Sequence, residues 1–123
     1  MKRILIDTNA LMAIAEFKID VFQELDRICD FAYNVSVLQG TILELEKIQK
    51  EQRLRFKLQA KLALALLKAK KVEIISGEGH VDNILAEYSK QGDLVLTQDM
   101  ALKKKLSRPY LTLRQKKYVV MVE

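Results

Sequence analysis

The stretch Ile4-Leu5-Ile6-Asp7-Thr8-Asn9 decides how the rest of this chain is read. Three consecutive apolar residues running into an aspartate are the pattern of a strand covered on both faces that ends on a carboxylate. In an open parallel sheet, side chains at the carboxyl ends of the strands line the crevice where ligands bind, so Asp7 is a site candidate. It is equally an N-cap candidate, because Asp, Thr and Asn all cap helices well and helical spacing begins near Ala10. One stretch leaves both readings open.

Working outward, Ala10 to Phe17 and Val21 to Ala32 carry helical apolar spacing (Leu11, Ile14, Ala15; then Phe22, Leu25, Ile28, Cys29), interrupted around Lys18 to Asp20. The β-branched and aromatic content of Tyr33 to Leu38 predicts a strand, and Gly40-Thr41 opens a helix that continues to about Gln52. Over Arg53 to Lys71, the residues Leu58, Leu62, Ala65, Leu66 and Ala69 fall at helical spacing and predict a core-facing stripe. Lys57, Lys61, Lys68 and Lys71 lie largely off it and read as solvating side chains. Val72 to Ile75 is a short strand closed by the loop Ser76-Gly77-Glu78-Gly79, and Val81 to Tyr88 is a helix ended by Gly92. Leu94 to Thr97 is the next buried strand, followed by a helix from about Met100 to Leu106 that Pro109 breaks. Tyr110 to Leu113 and Tyr118 to Val122 flank the basic segment Arg114 to Lys117, a terminal strand pair with a basic turn. Strand and helix alternate throughout. The class is α/β, with a mostly parallel sheet and helices on both faces.

A chain of 123 residues is read as one domain, 1–123, large enough to bury roughly two thirds of the surface its unfolded form exposes. The single cysteine, Cys29, sits in an apolar-periodic context and reads as a small core residue rather than a nucleophile. A cytoplasmic setting is the simplest inference from that cysteine usage, and no window approaches membrane-spanning length. The net charge of +5 is unevenly placed, because residues 100–123 hold seven basic side chains against Glu123 alone. That asymmetry points to a polyanionic partner, most simply nucleic acid, with Lys103, Lys104, Lys105 and Arg108 as candidate contacts.

Four acids fall just after a strand and so share one edge of the predicted sheet: Asp7, Glu44, Asp82 and Asp99. Asp93 precedes its strand and belongs to the opposite edge; Glu16, Asp20, Asp26 and Asp30 are spread over the early helices and read as surface. One strand-end carboxylate can be a cap, but four converging from separate units repel one another unless protonated or bridged by a cation. An all-oxygen set suits Mg²⁺ or Mn²⁺, and the absence of a Cys or His cluster argues against zinc. His80, the only histidine, reads as a loop or capping residue. Such metal-carboxylate sites hydrolyse phosphodiesters, which together with the basic tail suggests a nuclease.

Asp7-Thr8-Asn9 after a hydrophobic strand, Glu44-Leu45 in a Thr-x-x-Glu-Leu context, Asp82 at a helix start and Thr97-Gln98-Asp99 followed by Leu102 together resemble a PIN domain over nearly the whole chain. The resemblance implies a three-layer α/β/α fold and Mg²⁺- or Mn²⁺-dependent cleavage of single-stranded or looped RNA. It implies Asp7, Glu44, Asp82 and Asp99 as catalytic metal ligands, with Thr8, Asn9 and Thr97 orienting them. The run Pro109 to Arg114 with the Tyr118 to Val122 strand is similar to the archaeal branch related to small-subunit processome PIN endonucleases, which act on ribosomal RNA precursors. VapC toxins of toxin-antitoxin modules share the same four acids. The partners so implied are RNA, a second copy of the chain, and an antitoxin or a ribosome-assembly protein. The chain departs from the family pattern in having Gln98 where Asn is common and no further acid in the helix after Asp99.

Other classes fit less well. A receiver-like signalling domain needs an acidic pair at the first strand, and an aspartate-nucleophile phosphatase needs a second Asp where Asn9 stands. No Gly-rich phosphate loop is present. The non-enzyme rival is a PIN-like RNA-binding or scaffold module that keeps the acids but barely cleaves.

Overall fold

A computed structural model describes residues 1–123. The chain runs β1 (Lys2–Ile6), α1 (Thr8–Phe17), α2 (Val21–Ile28), β2 (Tyr33–Leu38), α3 (Gln39–Glu51), α4 (Leu54–Ala69), β3 (Glu73–Ile75), α5 (Val81–Lys90), β4 (Leu94–Leu96), α6 (Met100–Lys103), β5 (Tyr110–Arg114) and β6 (Tyr118–Val122). The strands form one sheet in the order β3-β2-β1-β4-β5-β6. Every pairing is parallel except that of β5 with β6. The chain therefore builds outward from β1 to β3 on one side, then returns to β4 on the other side of β1. A crevice at the carboxyl ends of β1 and β4 is what that reversal of direction creates.

The apolar run of β1 is divided between two cores by strand alternation. Ile4 and Ile6, with Leu94 and Leu96 of β4, face the larger core, to which α1 contributes Leu11 and Ile14, α3 Leu45 and α4 Ala60, Ala63 and Leu67. Leu5 and Val95 face the other way, against Leu85 of α5 and Leu102 of α6. The result is the three-layer α/β/α arrangement with a mostly parallel sheet. Cys29 is half-buried against the larger core, where burial pushes its thiol pKa up.

Several boundaries and one helix face differ from the sequence expectation, the instructive ones being these. Helix α1 begins at Thr8, ahead of Ala10, because Asp7 already takes the N-cap position. Helix α2 stops at Ile28, well short of Ala32, where Cys29 turns to extended backbone. Helix α6 is a single turn, ending at Lys103 rather than Leu106. The predicted core stripe of α4 is wrong: Leu58 and Leu62 are 52% and 55% exposed, and the buried residues are Gln59, Ala60, Ala63 and Leu67. The helix is apolar on two sides, and the side with Ala60, Ala63 and Leu67 is the one turned inward, while Ala65 and Ala69 are exposed. Small side chains let α4 lie close against α1 and α3, which it contacts.

Candidate active site

Asp7 and Thr97 are brought side by side by ladder bonds that run one residue past the strands. The Asp7 N–H donates to the Leu96 carbonyl at 3.0 Å, and the Thr97 N–H to the Leu111 carbonyl at 3.1 Å. From there a chain of hydrogen bonds fixes the strand ends. The Asp7 carboxylate accepts from the Thr8 N–H at 2.8 Å and from the Thr97 hydroxyl at 2.9 Å. The same hydroxyl accepts from the Asp99 N–H at 3.0 Å, and Asn9 Oδ1 accepts from the Gln98 N–H at 3.3 Å. Asp99 in turn caps α6, one oxygen accepting from the N–H groups of Ala101 and Leu102. Capping and site placement are thus compatible: Asp7 and Asp99 each cap a helix and face the crevice.

Glu44 and Asp82 arrive by a different route, on the early turns of α3 and α5. A Cβ on Gly40 would stand 2.5 Å from Cγ2 of Val81, so the two helix starts can meet only because residue 40 lacks a side chain. Asp7, Glu44, Asp82 and Asp99 all line one open cavity of about 410 Å³, together with Thr8, Asn9 and Glu16. Asp7 is the buried member, at 6% exposure. Burial, with the nearby charges of Asp82 and Glu44 adding to it, pushes its pKa up to about 6, while the bonds from Thr97 and Thr8 restrain the rise. No three of the acids converge closely enough to grip one ion as they stand.

Some residues sit otherwise than their expected role suggested. Thr8 holds Asp7 through its backbone N–H, and its hydroxyl is buried without a partner. His80 occupies the N-cap position of α5 but its side chain makes no capping bond. The four basic residues expected to contact RNA do not line one depression: Lys103, Lys104 and Arg108 share one with Tyr110, whereas Lys105 lines a cavity with Glu44 and Asp82. Asp93 is at the opposite edge, as expected, accepting from the Arg3 N–H at 3.0 Å.

The site has further contributors beyond the acids and the residues expected to orient them. Glu16 is exposed, as its pattern predicts, but Asn9, Met12 and Glu16 also follow one face of α1 into the cavity, a spacing visible once the helix is known to start at Thr8. Gln98 has a structural reason for its length: its side-chain oxygen accepts from the Thr112 hydroxyl at 2.7 Å and the Leu113 N–H at 2.8 Å, tying the loop before Asp99 to β5. Asn would be one methylene short of that reach.

A mostly parallel α/β sheet with four strand-edge acids around its reversal point is the architecture of a compact class of acid-centred domains. Residues 4–116 match the family described as PIN like domain, and the chain belongs to that family. It is 31% identical to Ribonuclease VapC4 of Methanocaldococcus jannaschii over 96% of this chain and 95% of that protein. In fold it is similar to the solved PIN domain endonuclease Utp24, with a TM-score of 0.76 and 21% identity over 97% of this chain and 90% of that one. No helix is long and apolar enough to cross a membrane.

Proposed function

We propose that this chain is an endoribonuclease dependent on Mg²⁺ or Mn²⁺, with Asp7, Glu44, Asp82 and Asp99 as its metal ligands and catalytic groups. The observation that carries the reading is that four carboxylates from four separate strand-to-helix units line one cavity. The donor set is all oxygen, as hard divalent cations require. The hydroxyl of Thr8, a residue that lines the same cavity, is buried without a partner, an unsatisfied polar group beside the acids that a cation or substrate reaching it would satisfy. When bound, such an ion supplies an acidified water and stabilises the charge that builds on the phosphate. The chain's own part is to hold Asp7 with Thr97 and Thr8, to hold Asp99 at the start of α6, and to present Glu44 and Asp82 across the cavity. The named relatives, a ribonuclease and an endonuclease, support the same chemistry.

The substrate we infer is a ribosomal RNA precursor, as implied by the resemblance of Pro109 to Arg114 and the Tyr118 to Val122 strand to small-subunit processome PIN endonucleases. A second reading, a VapC-type toxin, is favoured by the 31% identity to Ribonuclease VapC4. The test is incubation of a labelled ribosomal RNA precursor fragment with protein and Mn²⁺, or with chelator, beside Asp7→Asn and Asp99→Asn. Metal-dependent cuts that disappear in both variants are the expected result. Cutting by the variants equal to wild type would remove the nuclease reading and leave the RNA-binding module. Growth arrest on expression, with cuts confined to mature RNA, would select the toxin.

A further inference from the structure

The carboxylate cavity is lined by five acids and no base, an unwelcoming surface for a polyanion. It adjoins a second cavity of about 370 Å³, with which it shares Glu44 and Asp82 and which adds His80, Asn83 and Lys105. Lys105 is the only cation lining either one. It is not engaged elsewhere, since the molecule's two ion pairs are Arg3 with Glu73 and Arg27 with Glu24. The side chains of His80 and Asn83 also lie on the surface, outside the chain's internal hydrogen bonds, so their donors and acceptors are free. A third depression continues beyond His80 and Asn83 but brings two more acids, Glu78 and Glu87, and no cation. A phosphate backbone has reason to pass Lys105 and none to go further in that direction.

We propose that the cavity of His80, Asn83 and Lys105 is a nucleotide subsite for the residue adjoining the scissile phosphate. The Lys105 ammonium receives that nucleotide's phosphate, and the Asn83 amide, with His80 beside it, meets the edge of its base. The volume is that of one nucleotide rather than of a duplex, and an unpaired base offers the hydrogen-bonding edge that an amide can read. The amide supplies both donors and an acceptor, so it can discriminate among bases; the ammonium is a point charge and cannot. Asn83 is therefore a specificity-determining residue and Lys105 an affinity-determining one. The subsite rests on the endonuclease reading above.

The experiment is Mn²⁺-dependent cleavage of an RNA library randomised around the cut, with the product ends sequenced and KM measured at two salt concentrations. Wild type is compared with Asn83→Ala, Lys105→Ala, Lys105→Arg and, as a control on the far turn of α5, Lys90→Ala. Wild type is expected to show a base preference at one position next to the cut, which Asn83→Ala flattens. Lys105→Ala is expected to raise KM about tenfold at low salt and to lower its salt dependence by about one charge. Lys105→Arg should restore both, and Lys90→Ala should match wild type. A flat wild-type profile, or Asn83→Ala and Lys105→Ala that keep the wild-type preference and KM while Asp7→Asn abolishes cutting, overturns the subsite and leaves the nuclease standing. Failure of the wild type to cut at all removes the nuclease reading and the subsite with it.

Discussion

The two halves of the carboxylate cavity are built by different physics. On the strand side, Asp7 accepts hydrogen bonds from Thr97 and Thr8, Asp99 accepts from the first turn of α6 and donates its N–H to the Thr97 hydroxyl, and Gln98 anchors the loop before Asp99 to β5. On the helix side, Glu44 and Asp82 have no such network, and their placement depends on how closely α3 and α5 approach at Gly40 and Val81. Hydrogen bonds set orientation; packing sets only distance. The strand side is therefore the preorganised half, and the helix side is the half free to adjust around whatever binds.

The sharpest way to break this contrast is at Asp7. Its folded pKa of about 6 stands above the ordinary 3.8. A raised carboxyl favours the protonated fold, so stability is highest below the ordinary value and is lost as pH rises through the window from 3.8 to about 6. The loss is on the order of 3 kcal/mol at neutral pH. Asp7→Asn is expected to abolish cleavage and yet to raise Tm at pH 7.5, with little gain at pH 4. Thermal melts at the two pH values check the sign. Mn²⁺ should raise the Tm of wild type more than that of the variant, by mass action on the folded state. A variant that melts lower at pH 7.5 would mean that the bonds from Thr8 and Thr97 outweigh the cost of burying the charge.

The helix side should respond to volume instead. Gly40→Ala would place a methyl against the stiff, β-branched Val81, and overpacking of this kind costs about 1 to 3 kcal/mol. Since the strain falls where Glu44 and Asp82 are positioned, cleavage is expected to drop at least tenfold. Val81→Ala in the same chain should recover most of both losses, because it vacates the space. Additive rather than compensating effects, read from melts and initial rates of the four proteins, would show that the approach of α3 to α5 is not what places the acids.

This division also explains what could be read in the sequence. Strand-end acids announce themselves, because an apolar run that stops on Asp7, or on Thr97-Gln98-Asp99, needs only local pattern to interpret. The sheet class and the edge shared by four acids follow from alternation alone. The contact of Gly40 with Val81 joins residues 41 positions apart in the chain, so nothing local reports it. Helix α4 failed for a related reason: leucines and alanines occur on both of its sides, with Leu58, Leu62 and Ala65 outward and Ala60, Ala63 and Leu67 inward, so hydrophobic spacing cannot say which side turns inward, and the choice falls to how closely α1 and α3 approach. Glu16 was hidden by a boundary, since the face of α1 it shares with Asn9 is defined only once Asp7 is known to cap at Thr8.

The smallest expected effect compares two hydroxyls, one from each half. Thr8 and Thr41 are both buried with an oxygen that lacks a partner, but only Thr8 lines the carboxylate cavity. Replacing either by the near-isosteric valine removes an unsatisfied group, which favours the fold by about 1 kcal/mol, and helix propensity hardly changes between the two residue types. Both variants should therefore melt slightly higher than wild type. They should part in Mn²⁺ titration calorimetry: Thr41→Val binding as wild type does, Thr8→Val several-fold more weakly, because a hydroxyl kept free in the preorganised half has a ligand to satisfy and one in a packed helix has none. Equal Mn²⁺ affinity in the two variants would make the Thr8 hydroxyl a packing feature like its counterpart. The preorganised half would then consist of Asp7, Asp99 and the groups that hydrogen-bond to them, and no more.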